Sequence, residues 1–260
     1  FVLVCGLASS SLAQERPFDP NRFEATELAT ELLRPMELDV ADDGRVFFIE
    51  LGGKLKVLQP GKSRVELVGE LDVFEEQENG LIGMALDPNF SKNNHIFLQY
   101  SPPDYPGQHI SRFTLVDGKL DLGSEKLLLK FEEQRIECCH HAGSLEFGPD
   151  GNLFIGTGDN THPGGDSQGY APIDERPGKA PWDAQKSAAN TNQLSGKILR
   201  IRPTTDGEYE IPDGNLFPDG VGGRPEIYVM GCRNPWRLNV DQKSGFVYWG
   251  EVGPDAWNNN

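Results

Sequence analysis

One phrase recurs four times along the chain: a short apolar strand, a turn rich in Asp, Pro, Gly or Asn, and a second apolar strand. It reads MELDVADDGRVFFIE from Met36, IGMALDPNFSKNNHIFLQY over 82–100, GSLEFGPDGNLFIGTGD over 143–159 and WRLNVDQKSGFVYWGEV over 236–252. Asp39, Asp87, Asp150 and Asp241 mark equivalent turns, and their unequal spacing implies a shared unit with variable loops. Repetition of such a unit predicts sheets arranged radially as blades. No blade buries both of its faces alone, so neighbours must cover them. A sandwich would supply short strands and turns but not the recurring phrase. The expected fold is therefore all-β, a β-propeller.

The rest of the chain is read against that repeat. Residues 1–13, FVLVCGLASSSLA, are apolar and end in small residues, as in a secretory signal peptide that lacks its basic start. Residues 14–35 are a lead-in, with ATELATELLR as a short helix or irregular strand, and 36–260 are expected to form a partial propeller. The start at Phe1 and the stop just after a Gly-Pro turn suggest a piece of a longer protein, cut before closure. Residues 160–194 interrupt the pattern with a stretch rich in Gly, Pro, Asp and Asn, too long for an ordinary connection. Tyr170, Ile173 and Trp182 are its apolar anchors and predict an ordered loop over one face. Strand character resumes in GKILRIRP, 196–203.

Thirty glycines and nineteen prolines suit many tight turns. The formal charge of −16 argues against a nucleic-acid partner, which needs a basic surface. After residue 13 no segment is apolar for long enough to span a membrane. With Cys5 inside the leader, the remaining Cys138, Cys139 and Cys232 allow one bridge, either of the adjacent pair or of one of them with Cys232, or three free thiols. Fingerprints of dinucleotide, nucleotide-phosphate, lipase-elbow and haem-attachment sites are missing.

Four constellations could carry chemistry. Glu137-Cys138-Cys139-His140-His141 precedes a strand. Adjacent side chains on an extended segment point apart, which disfavours a zinc site and favours one histidine as a base. Asp159 ends the following strand at the same face, where a carboxylate would orient that histidine or merely cap a turn. Arg233 and Asn234 supply a planar donor fork and an amide, suited to carboxylates or quinone oxygens. Glu251-Val252-Gly253-Pro254-Asp255 is a turn whose carbonyls could meet Ca²⁺.

In this order, the phrases NGLIGMALDPNF (79–90), HHAGSLEFGPDGNLFIGTGD (140–159), SGKILRI (195–201), GCRNPWRL (231–238) and EVGPD (251–255) resemble the pyrroloquinoline quinone (PQQ)-dependent glucose/sorbosone dehydrogenases. The resemblance runs from about Leu28 to Asp255, and the Cys-Cys pair and YAPIDERPG insertion resemble a bacterial branch of large secreted proteins. It implies a six-bladed propeller and oxidation of a sugar or polyol by hydride transfer to PQQ. His140 would be the base, Asp159 its orienting acid, and Arg233 with Asn234 the cofactor contacts, the arginine also stabilising the reduced quinone. Glu78 stands near the reactive centre where a close relative has glutamine, and Gly253 and Pro254 would bind Ca²⁺ through backbone carbonyls. A cytochrome c domain or protein is the implied electron acceptor, and the implied location is secreted or periplasmic. The alternative within the same superfamily is a non-catalytic carbohydrate-binding or protein-interaction propeller.

Overall fold

The computed structural model describes residues 22–253. The leader reading and Pro254 lie outside the described residues. From 22 to 34 the chain forms neither helix nor strand.

Three antiparallel sheets and a hairpin follow in chain order. The first sheet runs β1 (Pro35–Val40), β2 (Val46–Glu50), β3 (Lys54–Leu58) and β4 (Val65–Glu70), each paired with the next. The second repeats the pattern with β5 (Leu81–Leu86), β6 (His95–Tyr100), β7 (Gly107–Val116) and β8 (Lys119–Glu132). The third pairs β9 (Ala142–Phe147) with β10 (Leu153–Thr157) and β10 with β11 (Lys197–Pro203). Two short strands, β12 (Tyr209–Glu210) and β13 (Ile227–Met230), share the far edge of β11. The hairpin is β14 (Pro235–Val240) with β15 (Val247–Glu251). The first strands of successive units pack on one another, β1 on β5, β5 on β9 and β9 on β14.

Alternation along the strands explains this stacking. Successive strand side chains point to opposite faces. On β6, Ile96 and Leu98 join Phe47, Ile49 and Met84 in the core between the first two sheets, while Phe97 joins the core between the second and third. On β10, Leu153 and Ile155 face that second core and Phe154 faces the hairpin with Ile198, Leu238 and Val240. A strand buried on both faces must be apolar throughout, which is why these runs read as continuous. Full burial of a side chain such as Phe97 contributes roughly 1.5–3 kcal/mol.

Three expectations need correction. Asp39 is not in a turn: it lies within β1, and its carboxylate accepts from the Leu86 amide on the neighbouring sheet. Asp87, Asp150 and Asp241 do occupy the turns after β5, β9 and β14. In the 160–194 connection Trp182 is buried, but Tyr170 and Ile173 are more than half exposed. That connection is held by Asp174, fully buried and doubly bonded to Arg176, and by two short 3₁₀ turns, Gly165–Ser167 and Ala180–Trp182. Finally, the approach to β9 is not a regular extended segment: His140, Ala142 and Gly143 all have positive φ.

Candidate functional site

The antiparallel register places the candidate residues together. Thr157 at the end of β10 pairs with Ala142 at the start of β9, so the chain entering β9 and the chain leaving β10 meet at one end of the sheet. His140 and Asp159 are each two residues beyond that pair. The connection from β13 to β14, with Arg233 and Asn234, closes over the same end: the Asp159 amide donates to the Arg233 carbonyl (2.8 Å), and the Ala142 amide to Asn234 Oδ1 (3.0 Å).

His140 is held on three sides. Its Nδ1 is 2.7 Å from Asp159 Oδ1, with both side chains almost fully buried. Its amide donates to Glu78 Oε2 (2.7 Å) and its carbonyl accepts from the Asn160 amide (3.1 Å). Asp159 Oδ1 also accepts from the Thr161 amide (2.9 Å), so the carboxylate is fixed before it meets the ring. A carboxylate on Nδ1 selects the tautomer with hydrogen there and leaves Nε2 as an acceptor. No protein group among the described residues bonds to Nε2. An imidazole held in this way has the chemistry of a general base: its free nitrogen can accept a proton, and the carboxylate on the other nitrogen can balance the charge that results.

The neighbouring residues have distinct tasks. Glu78 contacts the His140 backbone and not its ring, so here it serves to position the loop. Arg233 is half-buried and spends Nη1 on the Val252 carbonyl (2.6 Å), which leaves guanidinium donors for an anionic group. The Arg233 and Asn234 amides both donate to Glu251 Oε1. Gly253 is exposed. Among the described residues no three His, Cys, Asp or Glu side chains converge as metal ligands. Cys138 and Cys139 are bonded to one another, and Cys232 is free and buried, its thiol pushed up to about 12 chiefly by burial.

A second couple was not legible in the sequence. His141 Nδ1 is 2.7 Å from Glu133 Oε2, and both side chains are fully buried. Gln108 Nε2 donates to the same carboxylate oxygen and to Ser101 Oγ, and Ser101 in turn donates to Asn79 Oδ1. Burial disfavours the charged imidazole, but the Glu133 carboxylate outweighs it and holds His141 above its ordinary value. The two histidines thus do different work: one is paired in the interior, the other is presented by the strand ends.

Blade-like sheets stacked through their first strands, with a buried histidine–carboxylate couple at the strand ends, define a propeller-type protein. The chain belongs to the glucose/sorbosone dehydrogenase family, whose model matches residues 32–259. It is 28% identical to the aldose sugar dehydrogenase YliI of Escherichia coli over 87% of this chain and 56% of that protein. It is 26% identical to human Hedgehog-interacting protein over 92% of this chain and 36% of that protein. Among solved structures, a glucose dehydrogenase described as a putative oxidoreductase from Thermus thermophilus aligns with TM-score 0.71 at 27% identity, over 88% of this chain and 61% of that one. The PQQ-bound aldose sugar dehydrogenase of Streptomyces coelicolor shares the fold, with TM-score 0.66 at 23% identity over 88% of this chain and 59% of that one. The chain spans about half the length of YliI and about a third of the Hedgehog-interacting protein. No helix among the described residues is long and apolar enough to cross a membrane.

Proposed function

We propose that this chain carries the proton-abstracting part of a quinoprotein site that oxidises a hydroxyl of a sugar or polyol. The single observation behind this reading is the His140–Asp159 couple, 2.7 Å apart, with the imidazole Nε2 free of protein partners among the described residues. The donor set fits PQQ, an acidic planar quinone: the free guanidinium donors of Arg233 suit its carboxylates or quinone oxygens, with the Asn234 side chain beside them. PQQ, when bound, supplies the hydride acceptor. His140 Nε2 takes the hydroxyl proton, Asp159 keeps the ring oriented and stabilises its protonated form, and Arg233 offsets negative charge that develops beside it. In this reading Gly253 and Pro254 offer main-chain carbonyls to Ca²⁺, and the complete protein is an exported six-bladed propeller with a cytochrome c domain or protein as electron acceptor.

The test uses the full-length protein with PQQ, Ca²⁺ and an artificial electron acceptor across a panel of aldoses and polyols. His140→Ala is expected to lower turnover by roughly 10²-fold or more, the usual scale of general-base catalysis. Unchanged turnover would remove His140 from the role. No PQQ-dependent oxidation by the parent would favour the second reading, a binding propeller, which the similarity to Hedgehog-interacting protein supports.

A further inference from the structure

The SGKILRI phrase contains a residue that the site above does not use. Lys197 opens β11 and is fully buried. A buried ammonium is tolerated only where its donors are met. Nζ has three acceptors, the carbonyls of Ser187 (2.8 Å), Ala188 (3.0 Å) and Ser195 (2.9 Å). All three belong to the long connection between Asp159 and β11.

The backbone around Lys197 ties together the strand ends that carry the site. The Lys197 amide donates to Thr157 Oγ1 (3.1 Å), and that hydroxyl also contacts the Leu194 carbonyl. The Gly196 amide donates to the Gly158 carbonyl (2.6 Å), and the Gly196 carbonyl accepts from the Cys232 amide (3.0 Å). Gly196 has φ +72°, and a Cβ there would lie 2.6 Å from Ala188 Cβ and 2.8 Å from the Cys232 carbonyl. The 195–197 segment is thus wedged between the strand end leading to Asp159 and the turn carrying Arg233 and Asn234. Ser187 and Ser195 also line a cleft of about 480 Å³ whose other walls include Asp159, Thr161, Asp183 and Glu133.

We propose that Lys197 is a positioning residue for the His140–Asp159 couple: its ammonium clamps the 187–195 segment beside Asp159 and so shapes the cleft next to the base. The positioning role rests on the function proposed above, whereas the clamp does not. Burial pushes the Lys197 ammonium down to about 8, against the opposing pull of the Asp159 carboxylate; Cys232, the other group facing it, is a neutral thiol in this range. Deprotonation removes the charge and one donor, so the clamp weakens as pH rises through about 8.

The experiment measures amide hydrogen exchange in the full-length protein, corrected for intrinsic rates, at pH 7 and pH 9. In the parent, exchange across 184–196 is expected to rise between the two pH values while β9 and β10 stay protected. Lys197→Ala should raise exchange there at least tenfold at pH 7, and n-propylammonium, which replaces the deleted ammonium tail, should reverse this saturably where n-propanol does not. Lys197→Met, which keeps the volume, guards against simple collapse and should match Lys197→Ala in the 184–196 segment. Equal exchange across 184–196 in parent and Lys197→Met overturns the clamp. With PQQ and sugar, turnover of Lys197→Ala should fall and be restored by n-propylammonium. Full turnover in that variant without the amine overturns the positioning role. If the parent oxidises no sugar, the exchange results still decide the clamp, and the failure belongs to the proposed function.

Discussion

Gly158 lies so close to the backbone of His140 that a Cβ added to it would sit 2.0 Å from the His140 carbonyl oxygen. The strand end carrying Asp159 therefore passes directly against the loop carrying His140, and only a residue without a side chain permits this. The separation between imidazole and carboxylate is set by that contact as much as by the pair itself.

Gly158→Ala is expected to push the two segments apart. Overpacking of this kind costs about 1–3 kcal/mol, since the opposing atoms are backbone and cannot rotate away. Urea unfolding measures the stability loss. In the PQQ-loaded full-length protein, turnover should fall more steeply than substrate affinity, because the His140 ring loses its orientation. Parent-like stability and turnover in Gly158→Ala would show that the contact does not constrain the couple.

His141→Ala should destabilise the protein more than it impairs chemistry. It leaves Glu133 buried with its ion-pair partner gone, and breaking a buried pair on one side costs about 3–5 kcal/mol. Replacing both partners, His141→Gln with Glu133→Gln, should cost less than either single change, because no isolated charge remains. Denaturant unfolding of the four variants forms a double-mutant cycle. A zero coupling energy would mean that the pair is incidental.

The same pair predicts a pH dependence. His141 titrates above its ordinary value of 6.5 in the folded state, so the native protein binds this proton more tightly than the unfolded chain. Its stabilising contribution is complete below pH 6.5 and is lost as pH rises through the folded value. Unfolding free energy measured from pH 6 to pH 9 should therefore fall more in the parent than in His141→Gln. Parallel curves for the two proteins would contradict the assignment.

The apolar runs and the turn chemistry made the inner strands readable, because β5, β6 and β10 are buried on both faces and their sequences are largely apolar. The His140–Asp159 contact followed from the order of elements, since antiparallel β9 and β10 bring the start of one beside the end of the other. The His141–Glu133 couple did not, because it depends on a reversal between β8 and β9 with left-handed residues at His140 and Ala142. Positive φ is uncommon for any residue other than glycine, and although histidine adopts it more often than most, residue type alone does not mark where it falls. Glu78 was legible as a residue near the centre but not as a backbone acceptor, a role fixed by where the β4–β5 connection passes. Tyr170 and Ile173 misled for a different reason: an apolar residue in a loop anchors it only if a partner surface lies beneath, and here Trp182 alone of the three is buried.

The last prediction concerns the axis along which the first strands meet. Glu37 on β1 accepts from the Met84 amide of β5 (2.7 Å) and the Leu145 amide of β9 (3.3 Å), and contacts Ser144 Oγ. One carboxyl group thus joins three units. Burial pushes it up to about 7, against the opposing influence of Arg237 and these hydrogen bonds. The native state binds this proton more tightly than the unfolded chain, whose value is 4.5. The contribution of Glu37 is therefore intact below pH 4.5 and is lost as pH rises through about 7. Glu37→Gln reproduces the protonated form: its Oε1 accepts from the two amides and its Nε2 donates to Ser144. It also relieves Glu146, whose carboxyl is pushed up to about 7 by burial and by the charges of Asp39 and Glu37. The residue is half-buried, so solvent screening reduces the effect to the order of 1 kcal/mol. Unfolding in urea should show Glu37→Gln more stable than the parent at pH 8 and equal to it at pH 4.5. Lower stability of the variant at pH 8 would mean that the ionised carboxylate, paired with Arg237, is the form the fold requires.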